Sequence, residues 1–151
     1  MRVSYSVRSA VQLVEQLAEQ HQVEVHIEPS IPDDACIQDR RGDTVRLVRN
    51  LLENAIRFSP PGGRVIVTGG GGDDRSVRLT IADSGPGIDP AERDEIFKPF
   101  FRGNGVSGQG AGLGLGIARE IARSHGGDVT LDPTSSVGAR FVVVLPLAPQ
   151  L

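Results

Sequence analysis

Apolar residues along the chain follow two spacings, which together predict an ordered series of helices and strands. Apolar side chains recur at every third or fourth position, the spacing of an amphipathic helix, over 7–20, 44–59 and 113–125. The last two stretches end at Pro60–Pro61 and Gly126–Gly127, which are typical helix stops. A further short helix is predicted over 90–96.

Shorter apolar or alternating stretches predict strands over 23–27, 35–37, 65–67, 77–81, 129–131 and 139–147. The run Gly69–Gly72 separates two of them, so we expect an antiparallel hairpin there. No repeat or linker divides the chain. The pattern predicts one α+β domain over 1–151, a two-layer α/β sandwich in which a mixed, mainly antiparallel sheet packs on three helices.

The composition adds one unusual feature, which is the distribution of glycine. The chain has 151 residues and 19 glycines, and seven of these glycines lie between 103 and 116. A net charge of −3 provides no basic field for nucleic acid, and no apolar run has the length of a membrane span. The single Cys36 cannot form an internal disulfide, which favours a reducing compartment.

Three polar side chains share one face of the long predicted helix, namely Asn50, Asn54 and Arg57. An Asn carbonyl oxygen is suited to Mg²⁺ beside phosphates, and an Arg can bind phosphate oxygens in a bidentate manner. On this pattern alone, a solvated polar face is the more common explanation.

Two glycine-containing segments have the chemistry of ligand loops. Asp83 follows a predicted strand and precedes Gly85 and Gly87, so its carboxylate can accept a hydrogen bond from an exocyclic amine beside a sharply turning backbone. The run 108–116 leads into a helix N-terminus, which favours an anion. Taken separately, both segments are also ordinary turns. No Gly-Lys-Ser/Thr follows, which excludes a P-loop, and no strand directly precedes the run, which excludes a dinucleotide fold.

Together and in this order, these segments resemble the ATP-binding catalytic domain of bacterial two-component sensor histidine kinases, within the superfamily of gyrase, heat-shock chaperone and MutL ATPases. Residues 50–58 resemble the family's N box, 83–88 its G1 box, 97–102 its F box and 110–115 its G2 box. The resemblance covers about 7–147. It implies the Bergerat-type sandwich fold, with ATP and Mg²⁺ as ligands.

The resemblance also implies roles for individual residues. Asn54 would bind Mg²⁺ with help from Asn50, and Asp83 would accept the adenine amino group. Asn50, Arg57 and Arg102 would form the catalytic set, with both arginines at the phosphates. The remaining ATP-binding positions would be Phe58, Gly85, Gly87, Ile88, Phe100, Gly108, Gly110, Gly112, Leu113, Gly114 and Leu115, and 103–112 would form a lid over the nucleotide.

The chain departs from the family pattern in its histidines. Neither His21 nor His125 lies in the family's phosphoacceptor motif, so we expect a fragment whose acceptor histidine lies on a separate domain. Two milder departures from the family pattern are Ser84, where the family usually has Asn, and Gly116, where a small residue such as Ala is common. In gyrase-type relatives a Glu occupies the position of Asn50, and an amide cannot act as a general base, which favours a kinase over an efficient hydrolase.

The resemblance implies a domain that binds Mg-ATP and transfers the γ-phosphoryl group to a histidine in two-component signal transduction. The expected partners are a dimerisation/phosphoacceptor domain of the same kinase and a response regulator, with no nucleic acid. We expect a monomeric fragment, inactive without its acceptor domain, from a homodimeric sensor that is membrane-bound and places this domain in the cytoplasm. An anti-sigma-factor-type serine kinase and a nucleotide-gated module without phosphoryl transfer remain open alternatives.

Overall fold

The computed structural model describes residues 1–70, 73–93, 95–98, 114–133 and 138–149. Within these ranges the helices are α1 (Val3–Leu13), α2 (Glu15–His21), α3 (Asp43–Phe58) and α4 (Gly114–Ser124), with a 3-10 turn at Pro90–Glu92. The strands are β1 (Glu24–Ile27), β2 (Arg64–Gly69), β3 (Ser76–Ala82), β4 (Asp128–Leu131) and β5 (Arg140–Pro146). No helix among the described residues is long and apolar enough to span a bilayer.

The strands form one mixed sheet in the order β1-β2-β3-β5-β4. β1 is parallel to β2, and every other pairing is antiparallel. Alternate residues of β2, β3 and β5 are buried, because successive side chains of a strand point to opposite faces. The predicted α+β sandwich with a mainly antiparallel sheet is confirmed, as is the hairpin between β2 and β3.

Helix α3 lies at the centre of the helical layer and contacts both α1 and α4. Its apolar face is buried over Leu47, Val48, Leu51, Leu52, Ala55 and Ile56, and each of the Leu, Val and Ile side chains contributes roughly 1.5–3 kcal/mol on burial. Its first turn is held by Asp39, whose Oδ1 accepts hydrogen bonds from the Thr44 N–H at 2.9 Å and the Thr44 Oγ1 at 2.8 Å. The polar face of α3 is therefore presented by a rigid element.

Three local predictions differ from the structure. The helix predicted over 7–20 is two helices, and the break falls at Val14, whose N–H bonds to the carbonyl of Val11. The segment 35–37 forms no strand in the sheet, and Cys36 makes an isolated bridge to Arg2 instead. The helix predicted over 90–96 is a 3-10 turn at Pro90–Glu92.

Candidate functional site

Asp83 is a buried carboxylate at the end of β3, with 7% of the residue exposed. Its Oδ1 accepts hydrogen bonds from the backbone N–H of Gly85 at 2.9 Å and of Ala139 at 3.0 Å. Burial raises the pKa of Asp83, and the two N–H donors offset part of that rise. No hydrogen bond to Oδ2 is found among the described residues, so this oxygen can accept one from a ligand.

The loop after Asp83 is tied to the end of α3 and to the start of β2. The Ser84 hydroxyl accepts a hydrogen bond from the Arg64 N–H at 2.9 Å and donates one to the Arg64 carbonyl at 2.7 Å. A Cβ on Gly85 would lie 2.5 Å from the carbonyl oxygen of Phe58, so this position has room only for glycine. Gly87 has a φ of +80°, which also favours glycine. The loop therefore holds Asp83 beside the last turn of α3.

The polar face of α3 carries Asn50, Asn54 and Arg57, which are half-buried, half-buried and exposed, respectively. The Nδ2 atom of Asn50 is buried and has no hydrogen-bond partner. A buried polar atom without a partner costs about 1–3 kcal/mol, so a bound acceptor would relieve that cost. Phe58 is 38% exposed at the other end of this face, about 12 Å from Asn50 along the helix axis at 1.5 Å per residue.

The N-terminus of α4 meets α3 at Asn50. A Cβ on Gly114, the first residue of α4, would lie 3.8 Å from the Asn50 carbonyl oxygen and 3.9 Å from its Cβ. The first N–H groups of a helix lack intrahelical partners and carry partial positive charge, so they attract anions. The donor of Asn50 and the positive end of α4 therefore lie together.

Two other predicted ATP-binding residues, Ile88 and Leu115, pack against the hydrophobic core. Phe97 from the F-box segment also packs against the core, and its ring meets Phe141 edge-on with the ring centroids 6.1 Å apart. The Arg119 guanidinium lies 4.5 Å above the Phe97 ring. Phe100, Arg102, Gly108, Gly110, Gly112 and Leu113, with the predicted lid 103–112, lie outside the described residues.

The described residues contain no group of three or more His, Cys, Asp or Glu side chains that could hold a metal. Mg²⁺ usually binds through substrate phosphates and one or two protein oxygens, and does not need an all-protein cage. The amide oxygens of Asn50 and Asn54, with the unpartnered Nδ2 of Asn50 available to a phosphate oxygen, fit an ion that arrives with a phosphate ligand.

Two residues that the sequence pattern does not single out for the site, Gly138 and Ala139, lie directly against Asp83. Ala139 exchanges two hydrogen bonds with Asp83, through its N–H to Oδ1 and through its carbonyl, which accepts from the Asp83 N–H at 3.0 Å. The only local signal is a glycine just before a strand, which is common. The contact joins residues 56 positions apart, so the chain pattern alone could not reveal it.

A buried carboxylate beside one end of the polar face of α3 and an unpaired amide towards the other end give this α/β sandwich a candidate nucleotide site. The family described as histidine kinase-, DNA gyrase B-, and HSP90-like ATPase matches residues 39–149. The chain belongs to this family.

Individual relatives agree with this assignment. The signal transduction histidine-protein kinase/phosphatase MprB of Mycolicibacterium paratuberculosis is 42% identical over 106 residues, which cover 67% of this chain and 20% of that protein. The chain spans about a fifth of the length of the curated relatives it matches.

Solved structures show the same fold. A mycobacterial sensor histidine kinase MprB has a TM-score of 0.84 and 32% identity, with 99% of each chain covered. Full-length ShkA in complex with AMPPNP has a TM-score of 0.79 and 28% identity, with 99% of this chain and 31% of that chain covered. The predicted resemblance to histidine kinase catalytic domains is confirmed.

Proposed function

We propose that this chain is the single catalytic domain of a longer sensor kinase and that it binds Mg-ATP along the polar face of α3. The domain then transfers the γ-phosphoryl group of ATP to a histidine on a separate dimerisation and phosphoacceptor domain. The observation that carries the proposal is that two groups available to a ligand lie beside the polar face of α3: Asp83 Oδ2, which has no hydrogen bond among the described residues, and the buried, unpartnered Asn50 Nδ2. One is an acceptor suited to a base amine, and the other is a donor suited to a phosphate oxygen.

The base end of the proposed site lies at the C-terminus of α3. Gly85 approaches the Phe58 backbone closely, and we assign the exposed Phe58 ring as the apolar surface for a flat base at this end. The ionised Asp83 carboxylate accepts only, so its Oδ2 pairs with a base that presents an amino group. We assign this end to adenine.

The phosphate end lies one to two turns back along α3, at Asn54 and Asn50, where α4 begins. Asn54 and Asn50 would hold Mg²⁺ through their amide oxygens, and the bound ion would neutralise charge on the phosphates. The Asn50 Nδ2 would donate to a phosphate oxygen or to a water on the ion. The exposed Arg57 guanidinium is free to swing towards the phosphates, and Arg102 is proposed for the same role.

Among these assigned residues, none has a side chain that can take a proton from water at neutral pH next to the phosphates, because an Asn amide is not a base. The domain therefore acts by positioning the nucleotide and stabilising charge. The nucleophile is the imidazole nitrogen of the acceptor domain. MprB relatives carry the name histidine-protein kinase/phosphatase, which supports a role in a two-component pathway with a response regulator. We extend the proposal to a homodimeric full-length kinase in a membrane, with this domain in the cytoplasm.

The test is a transfer assay with [γ-³²P]ATP, this chain and the separately purified phosphoacceptor domain of the full-length protein. We expect acid-labile, alkali-stable label on that domain, and no label when its acceptor histidine is changed to Ala. Label on serine would contradict the proposal in favour of a serine kinase. ATP binding without any transfer would leave only a nucleotide-gated module.

A further inference from the structure

The Gly138–Ala139 corner, which leads into β5, is built closely around Asp83. Besides the two hydrogen bonds with Ala139, the Gly138 backbone lies so near that a Cβ there would overlap the Asp83 carbonyl oxygen and lie 2.9 Å from Oδ1. Gly138 also has a φ of +64°, a conformation that side chains other than glycine rarely adopt. No side chain can be added at this position unless Asp83 moves.

The hydrogen bonds at this corner make the two carboxylate oxygens of Asp83 unequal. Oδ1 accepts from both Gly85 and Ala139, at 2.9 and 3.0 Å, which uses its two lone pairs. Two donors that converge on one oxygen from different segments fix the rotation of the carboxylate about its Cβ–Cγ bond. Oδ2 is then held in one direction as the remaining acceptor.

We propose that the Gly138–Ala139 corner is a positioning element that aims Asp83 Oδ2 at the bound base, and that it thereby sets the preference for a 6-amino purine over a 6-oxo purine. This inference rests on the proposed function, because it takes Asp83 as the base-reading residue. It assigns the preference to backbone groups that act on the orientation of the Asp83 carboxylate. Gly85 contributes the second donor but lies in the same loop as Asp83, so the corner supplies the only donor from a distant segment among the described residues.

The experiment compares Gly138→Ala with Gly42→Ala in the whole chain. Both glycines have a positive φ, +64° and +77°, so both variants carry the same kind of backbone strain. Nothing lies within 4 Å of a Cβ at Gly42, which is at the start of α3 and distant from Asp83. Calorimetry measures the Kd values of ATP and of ITP, which differ at position 6 of the base, for the parent and for both variants.

We expect Gly138→Ala to weaken ATP binding by about tenfold or more, the amount typical of one hydrogen bond to a charged group, and to change ITP binding little. The ATP/ITP preference should therefore collapse in Gly138→Ala and persist in Gly42→Ala. A Gly138→Ala variant that binds with the parent's ATP/ITP preference overturns the inference. A parent chain that binds neither nucleotide overturns the proposed function itself, so the two failures are distinguishable.

If Gly138→Ala does not fold, a second measurement on the parent chain tests whether the Gly138–Ala139 corner holds the Asp83 carboxylate. The backbone amide proton resonances of Gly85 and Ala139 are followed by NMR as Asp83 titrates. We expect both resonances to move together with one shared pKa above the usual range of Asp, and to stay still in Asp83→Asn. An Ala139 amide that does not respond to this titration would show that the corner does not hold the carboxylate.

Discussion

Asp83→Asn separates recognition of the base from stability of the fold, because the two side chains have nearly the same shape. The Asn oxygen can accept the same two hydrogen bonds, from Gly85 and Ala139, that Oδ1 accepts at 2.9 and 3.0 Å. The Asn NH₂ group is then placed where Oδ2 was. A donor faces the adenine amino group, which is itself a donor.

The expected loss of ATP affinity follows from the removal of the hydrogen bond between the adenine amino group and Asp83 Oδ2. A hydrogen bond to a charged group contributes about 1.5–3 kcal/mol, so ATP binding should weaken by about 10- to 150-fold. The same exchange favours ITP, whose 6-oxo group accepts from an NH₂ group. The preference between ATP and ITP should therefore invert, a result that general damage to the pocket would not produce.

Although Asp83→Asn should weaken ATP binding, it should not lower the free energy of unfolding at pH 7. The pKa of Asp83 is raised above 3.8 in the folded chain, chiefly by burial. The folded state therefore binds the proton more tightly than the unfolded state, so the stability of the parent falls as pH rises from about 3.8 through the raised pKa. Asp83→Asn lacks this loss. At pH 7 the variant should be at least as stable as the parent, and its unfolding free energy should lack this contribution to the pH dependence.

Urea unfolding at pH 4 and pH 7, with calorimetry of ATP and ITP at pH 7, measures all three effects. Unchanged ATP affinity would refute the role of Asp83 in base recognition. A large loss of stability at pH 7 would refute the reasoning about its burial, since that reasoning makes the ionised carboxylate a cost to the fold.

Three further changes test other parts of the structure. Ser6 is fully buried and its Oγ has no hydrogen-bond partner, so Ser6→Ala should raise the free energy of unfolding by about 1 kcal/mol or more. Ser9→Ala, on the half-buried side of α1, is the control. If Ser6→Ala lowers the free energy of unfolding instead, the Ser6 hydroxyl has a hydrogen-bond partner in solution. Asp39→Ala removes both bonds to Thr44 and should cost about 0.5–2 kcal/mol in urea unfolding, as for other lost side-chain acceptors at a helix N-terminus, while unchanged stability would show that Asp39 does not support the first turn of α3. Asn54→Ala should weaken ATP binding in the presence of Mg²⁺ far more than in its absence, and an Mg²⁺ dependence equal to that of the parent in calorimetry would exclude Asn54 from the metal site.

The elements with strong local signals could be predicted closely from the sequence. The helix predicted over 44–59 is observed at Asp43–Phe58, because its apolar periodicity is continuous and two prolines stop it. The break between α1 and α2 at Val14 has no such signal, since Val14 and Ala18 continue the apolar spacing and both are buried. Periodicity reports which face is buried, and it does not report where a helix changes direction.

The motif residues could be named from the sequence for a similar reason. Asn50 and Asn54 are one helical turn apart, and Asp83 and Gly85 are two residues apart, so local geometry places each pair. A family resemblance then assigns them to one ligand, and that assignment remains a prediction for this chain.

The sequence by itself determined the periodic helices and strands, and these predict the α+β sandwich. It also determined the candidate groups of the site. Both depend on residues that are near one another along the chain. Only the tertiary structure decided how those groups are held. The segment 35–37 looked like a strand of the sheet, yet its own carbonyls bond to the two end regions of the chain: Ala35 accepts from the Val3 N–H and Cys36 accepts from the Ala148 N–H. Likewise Asp83 is held by Gly138 and Ala139, far along the chain. Contacts of this kind form where the packed sheet brings distant backbones together, and no local pattern of residues encodes that distance.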